Sequence, residues 1–263
     1  MYDFAYHKPS SIADAVKLLS EDPDAMPISG GMTLLPALKH RLNRPTALID
    51  LSAIAELRGV KQEGNALVIG AMTRHFEVAT NPLVMASIPA LAKMAASIGD
   101  TQVRNRGTLG GSLANNDPAA DYPSAALALG ATFITDRRSI PADDFFQGMF
   151  TTALEPGELL VAVSFPIPEK AGYAMLRNPA SRYAMTGVFV AKGPQGVRVA
   201  VNGAAACVFR QTEMEAALAA NWSADAIAGV KQSPDDLNSD IHGSAEYRAH
   251  LVNVMARRAL AEA

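Results

Sequence analysis

Two short runs pair adjacent glycines with hydroxyl side chains: SGGMT, Ser29 to Thr33, and TLGGS, Thr108 to Ser112. Adjacent glycines let the backbone turn through positive φ and let a ligand approach without meeting a Cβ. The amides exposed in such a turn, with a helix N-terminus behind them, form a nest for an anion. A tight turn alone would account for either pair. Two pairs together, with Ser and Thr donors and no lysine, fit a pyrophosphate bridging two loops better than a single phosphate clamped by a cation. That chemistry points to a dinucleotide. The second run lies within RNRGTLGGSLANNDPAADYP, Arg104 to Pro123, a stretch rich in glycine, hydroxyl and amide side chains and poor in large apolar ones.

Neither run is the common dinucleotide fingerprint, because GxGxxG followed by a long helix and a distant acid is absent, and so is the GxxxxGKS/T phosphate loop. Ser112 lacks the GxSxG spacing of a nucleophile elbow. The single cysteine, Cys207, excludes a disulfide, a cysteine-rich zinc site and an iron–sulfur cluster held by the chain's own thiolates. Its setting, AAACVF, predicts a small buried side chain in a strand. The five histidines are scattered with no paired spacing, so His7 and His75 read as surface or capping groups and no metal site is expected. A net charge of −3 without any Lys/Arg run gives no electrostatic case for nucleic acid. The N-terminus lacks a basic segment followed by an apolar one, and no stretch approaches roughly 18 uninterrupted apolar residues. The expectation is a cytoplasmic protein without obligatory membrane insertion.

The elements that must hold the two runs are readable in outline. The 263 residues are 49% hydrophobic and 19% charged, ordinary for a globular chain and long enough for two compact units. After Ser10 and Ser11 as N-cap candidates, Ile12, Val16 and Leu19 recur at helical spacing until Asp22-Pro23. AMPIS (25–29) reads as a strand, Leu34, Leu35, Leu38 and Leu42 as a helix ending before Pro45, and ALIDL (47–51) as a second strand. The first glycine pair therefore sits between a strand and a helix of a small α/β layer. GVKQ and ALVIG predict a hairpin about Glu63-Gly64-Asn65, followed by a helical region over 81–98. Beyond the second run come a helix over 124–129, a strand over 131–135, a helical turn at 143–146 and the strand LLVAVSFPIP. A boundary falls near Pro168 to Gly172. YAMLRN, MTGVFVAK, VRVAVNG and AAACVFR then read as consecutive antiparallel strands, with helices to the end, the last over 244–261.

Several of these segments, in this order, resemble the FAD-binding medium subunits of molybdenum hydroxylases, the group that includes carbon monoxide dehydrogenase and xanthine dehydrogenase. The similarity runs through FAYHKPSSIADAVKLL, SGGMTLLP, LIDLSAIAEL, VIGAMTRH, VRNRGTLGGSLANNDPAADYP and IPADDFFQGMF…LEPGELLVAVSFP. It implies an α+β fold: a two-lobed FAD-binding domain of the vanillyl alcohol oxidase-like (PCMH) type over 1–168, with lobes of about 1–56 and 57–168, and a smaller C-terminal domain over 172–263. By the family pattern Ser29, Gly30, Gly31, Met32 and Thr33 would meet the FAD pyrophosphate from the first lobe. Thr108, Gly110, Gly111, Ser112, Asn115 and Asp121 would come from the second, with Asp121 near the ribityl or ribose hydroxyls. Tyr183, in SRYAMTG, falls where some members place an aromatic beside the isoalloxazine. The sequence departs from the pattern where MT replaces the commoner HS or TD in the first loop. It departs again at Gly187, where xanthine dehydrogenases carry a lysine near the flavin.

The resemblance implies an oxidoreductase with no acid or base catalyst of its own. Substrate oxidation would belong to a large molybdenum-cofactor subunit and electron relay to a small 2Fe-2S subunit, in a heterohexamer built as a dimer of heterotrimers. This chain would take electrons from the partner's cluster and pass them to an external acceptor. Two other readings are a self-contained FAD-dependent oxidoreductase using NAD(P)H and an FAD-binding module without turnover. The first lacks a lid domain and a catalytic Ser, Glu or His over the flavin, and the second would tolerate loss of a glycine loop, whereas both are intact.

Overall fold

The computed structural model describes residues 1–263. The first lobe comprises β1 (Ala5–His7), α1 (Ile12–Glu21), β2 (Met26–Ile28), α2 (Leu34–Lys39) and β3 (Ala47–Asp50). β3 lies between β1 and β2 and runs parallel to both. α1 begins where Ser11 accepts the amide of Asp14 on its hydroxyl and ends at Asp22, because Pro23 disfavours helical backbone in the residue before it. Ala15 and Leu19 of α1 bury against Ala47, Ile49 and Leu51 in a small core. One strand had no sequence reading and one helix is shorter than expected. The exposed three-residue β1 carries no alternation that would mark it as a strand, and α2 stops at Lys39, leaving Leu42 in solvent.

The second lobe starts with the hairpin of β4 (Val60–Glu63) and β5 (Ala66–Gly70), turning at Gly64 with φ 58°. The helical region read over 81–98 belongs to a run of three helices, α3 (His75–Thr80), α4 (Pro82–Ser87) and α5 (Pro89–Ser97). Pro82 and Pro89 divide it, since each lacks an amide hydrogen and is accommodated at a helix's first turn but not in its interior. α6 (Thr101–Arg106), α7 (Leu109–Asn115) and α8 (Tyr122–Leu129) follow, so the glycine-rich second run is largely helical. The lobe closes with β6 (Thr132–Thr135), β7 (Ser139–Pro141), α9 (Ala142–Phe145), β8 (Phe146–Gly148), β9 (Thr151–Thr152) and β10 (Leu160–Pro166). β10 pairs antiparallel with both β5 and β6, setting the order β4-β5-β10-β6-β7.

The C-terminal part is an antiparallel sheet of β11 (Lys170–Arg177), β12 (Ala184–Gly193), β13 (Gly196–Asn202) and β14 (Phe209–Arg210), followed by α10 (Thr212–Ala220) and α11 (Ala245–Ala261). Val188, Val190, Val199 and Val201 pack with α10 and α11, while Phe189, Ala191 and Ala200 join the core of the second lobe. Both faces of β12 are covered, which is why it reads as a continuous apolar run and not as an alternation. α8 is buried along its whole length, between that sheet and the strands of the second lobe. The run AAACVFR is strand only at Phe209–Arg210, and Cys207 lies half-buried in the preceding loop, not in a strand core.

Candidate functional site

SGGMT forms the turn from β2 into α2. Gly31 takes φ 72°, a conformation that side chains with a Cβ adopt at a cost. The backbone amides of Ser29, Gly30, Gly31, Met32 and Thr33 find no acceptor within the chain. The first run is thus a row of free donors without a nearby cation built into it.

The second run differs from its sequence reading. Thr108 caps α7, its hydroxyl oxygen accepting the Gly111 amide at 3.1 Å. Leu109 and Gly110 donate to the carbonyls of Thr73 and Ala71 at 3.0 and 2.8 Å. No amide nest remains at this glycine pair, because the Gly110 amide ties α7 to the residue after β5 and the Gly111 amide bonds the Thr108 cap. What α7 offers instead are side chains: Ser112 and Asn115 follow Thr108 at helical spacing, and neither makes a side-chain hydrogen bond within the chain.

The glycines also have a second use. A Cβ on Gly30 would overlap the Arg106 carbonyl and come within 2.7 Å of the Gly107 Cα, and one on Gly110 would overlap Ala71. A Cβ on Gly111 would strike the Ser29 hydroxyl and lie 2.8 Å from the Thr108 hydroxyl. The Thr108 hydroxyl donates to that of Ser29 at 3.1 Å. The absent side chains therefore let the two lobes touch and close one wall of a cleft of about 450 Å³. Both runs line this cleft, as do Asn115, Asp121 and Tyr183, so the residues expected to meet FAD come together there.

Asp121 precedes α8 without capping it. It is buried and accepts a hydrogen bond from the Tyr173 hydroxyl. Burial pushes its carboxyl up to about 6, against the opposing pull of the Tyr173 hydrogen bond and the Arg177 charge. Tyr183 is not within a strand. It stands half-exposed in the turn between β11 and β12, its carbonyl accepting the Asn178 amide at 2.8 Å. Its phenol is raised by burial and by the charges of Asp117 and Asp121.

Three further residues shape the cleft. His75, read from sequence as a surface or capping group, is 5% exposed and lines the cleft. Burial, then the Arg104 charge, lowers it to about 4, and its Nδ1 has no partner. Nothing local in TRHFE marks it, since its ring packs against Gly107, which is distant in sequence. Asn116 adopts φ 44° and donates through Nδ2 to the carbonyls of Gly148 and Thr151 at 2.8 and 2.9 Å. It thereby fixes the β8–β9 turn, whose Phe150 lines the cleft. The only signal was the Asn-Asn-Asp-Pro sequence, in which asparagine tolerates left-handed backbone.

Free amides, a hydroxyl and a carboxamide facing a space partly walled by apolar side chains suit a pyrophosphate with an attached ring system, and Asp121 suits sugar hydroxyls, which are donors. The residues present fit FAD. Fold and cleft together fit an α+β flavoprotein with an FAD-binding domain and a smaller C-terminal domain.

Residues 2–168 match the FAD binding domain in molybdopterin dehydrogenase, and residues 183–263 match the CO dehydrogenase flavoprotein C-terminal domain. The chain is 35% identical to the carbon monoxide dehydrogenase medium chain of Hydrogenophaga pseudoflava, over 98% of this chain and 96% of that one. It is 36% identical to the nicotine 6-hydroxylase medium subunit of Paenarthrobacter nicotinovorans, with the same coverage of each. Reconstituted CO dehydrogenase from Oligotropha carboxidovorans contains a chain that superposes with a TM-score of 0.89 at 34% identity, covering 100% of this chain and 99% of that one. The protein belongs to the FAD-binding medium subunits of molybdenum hydroxylases, an oxidoreductase family, and its cofactor is FAD.

Proposed function

We propose that this chain is the electron-exit subunit of a molybdenum hydroxylase, receiving electrons from a partner's iron–sulfur cluster and passing them to an external acceptor. The observation that carries the reading is the row of free amides at Ser29–Thr33 facing the unpaired polar side chains of α7 across one cleft, in a chain whose single cysteine cannot hold a cluster. When bound, FAD supplies exchange of electrons singly or in pairs, which no side chain here provides. The chain's own residues bind and orient it. The Ser29–Thr33 amides, Ser112 and Asn115 would hold the pyrophosphate, with Gly110, Gly111 and Thr108 keeping that wall closed. Asp121 would accept from a sugar hydroxyl, and Tyr183, on the same cleft, would flank the isoalloxazine. Phe150 and Leu154 exclude water from the apolar side. No residue need act as acid or base.

The domains we assign are 1–168, with lobes of about 1–56 and 57–168, and 172–263. The partners are a large molybdenum-cofactor subunit and a small 2Fe-2S subunit, in a cytoplasmic heterohexamer. No helix is long and apolar enough to cross a membrane. The test is reconstitution. The purified chain should bind FAD in preference to FMN, which lacks the pyrophosphate, and should not oxidise an aldehyde, a purine or carbon monoxide. Adding both partner subunits should make flavin bleaching depend on substrate. Oxidation of such a substrate by the chain alone, or equal acceptor reduction by a complex stripped of FAD, would refute it.

A further inference from the structure

Asp121 meets the cleft on one side and the C-terminal sheet on the other. Its hydrogen-bond partner, Tyr173, stands on β11 and reaches across from the C-terminal sheet. The position of that phenol depends on a missing side chain. A Cβ on Gly187 of β12 would lie 2.5 Å from the Tyr173 hydroxyl and 2.5 Å from the Asn202 Oδ1. Asn202 pairs directly with Gly187 across the β12–β13 ladder and is fully buried. Its side-chain oxygen stands 3.4 Å from the phenol, and its Nδ2 has no partner. The one phenolic hydrogen is committed to Asp121, so an Asn202 amide turned with its NH2 toward the phenol would be a donor. That orientation pairs the orphaned nitrogen and completes a chain from Asn202 through Tyr173 to Asp121.

We propose that Tyr173 is a positioning residue for the cofactor site: through the gap left by Gly187 it holds the Asp121 carboxylate ionised and aimed at the sugar hydroxyls, so the C-terminal sheet controls how FAD is held. The inference rests on the reading that Asp121 meets the cofactor. A carboxylate accepts from a sugar hydroxyl on either oxygen, whereas the protonated acid spends one oxygen as a donor. Burial alone drives Asp121 toward the neutral form, and the hydrogen bond from Tyr173 opposes that drive. The groups around it do not titrate in the same range. Tyr173, Tyr122 and Tyr183 are phenols raised by burial, and the Arg177 charge pulls Asp121 down. His75, on α3 beside Tyr122, protonates only near 4. Asp117 adds a further negative charge on the same cleft.

The test is FAD titration of the full-length apoprotein by flavin fluorescence between roughly pH 5 and 8.5, a range spanning the carboxyl's shifted position. In the native chain the dissociation constant should rise as pH falls through about 6. Removing a hydrogen bond to a charged group is worth at least one pKa unit, so Tyr173→Phe should move that rise up by about one pH unit. Gly187→Ala, which displaces the phenol without removing it, should move it the same way and serves if the Phe variant folds poorly. Asp121→Asn should bind weakly with a flat profile. Uniform weakening at every pH in Tyr173→Phe and Gly187→Ala, or an unmoved midpoint, would overturn the proposal while leaving the Asp121 assignment standing if Asp121→Asn is flat. An Asp121→Asn variant with native affinity and profile would overturn that assignment, and the proposal with it.

Discussion

Gly30→Ala isolates the contact between the lobes from the conformation of the turn. Gly30 does not occupy positive φ, so alanine carries no backbone penalty there, and the effect must come from space. The added methyl would overlap the Arg106 carbonyl and stand 2.7 Å from the Gly107 Cα. Both are backbone atoms that cannot rotate away, so the loop must retreat on the order of 1 Å to reach ordinary contact. Overpacking of this kind costs about 1–3 kcal/mol. The retreat also strains the Thr108–Ser29 hydroxyl contact at 3.1 Å and would displace the free amides of 29–33 that we propose bind FAD. Each bond to a charged group contributes about 1.5–3 kcal/mol, so losing the equivalent of one should weaken FAD binding at least about tenfold. The control is Gly64→Ala in the β4–β5 hairpin. There φ is 58° with nothing within 4 Å, so alanine should cost about 1 kcal/mol of stability and leave FAD affinity unchanged. Flavin fluorescence titration and thermal unfolding of both variants separate the terms. A Gly30→Ala protein that binds FAD as tightly as the native chain would refute the claim that this contact sets the cleft.

Thr108→Ala removes both the α7 cap and the donor to Ser29; it should lose about 1 kcal/mol of stability and bind FAD more weakly, measured by urea unfolding and titration. His75 is lowered from 6.5 to about 4, so the unfolded chain binds more protons across that window and stability should decline as pH falls through it. His75→Gln should flatten that decline in unfolding curves taken near pH 7 and near pH 5. Glu158 is held down to about 2, chiefly by its hydrogen bond from Arg138. Its contribution should be complete above 4.5 and vanish as pH falls toward 2, so the deficit of Glu158→Gln should shrink over the same interval. Asn116→Ala frees the turn bearing Phe150 and should raise proteolysis near 148–151 in the absence of FAD.

Local chemistry carried much of the fold into the sequence, and where it did not the cause is identifiable. Ser11 and Ser244 mark helix starts through bonds to amides three residues on, and Pro23 marks an end by disfavouring helical backbone before it, so α1 and α11 are readable. Pro82 and Pro89 were equally visible, yet the apolar periodicity runs through them, and only packing shows that the chain restarts its helix at each. β1 is three exposed residues held by a parallel partner some forty positions away, which leaves no local pattern. The loop at Cys207 is apolar because it covers the core of the second lobe, and apolar composition alone cannot separate a covering loop from a strand.

The candidate site follows the same division. The residue types at Ser29–Thr33 and Thr108–Ser112 indicated where a dinucleotide would lie, and the cleft forms there. They could not indicate which wall supplies amides and which supplies side chains, because that depends on Ala71 and Thr73, the carbonyls that consume the α7 amides. Glycine was read as room for a ligand, but at Gly30, Gly110 and Gly111 the room is filled by the protein itself. The two uses have one physical origin. A backbone without a Cβ can approach another backbone as closely as it can approach a phosphate, and the first approach is what forms the cleft in which the second can occur. His75 was read as a surface group and Tyr173 was not singled out for the converse reason: each packs against a glycine elsewhere in the chain, Gly107 for one and Gly187 for the other, and a residue defined by a distant absence leaves no mark beside itself.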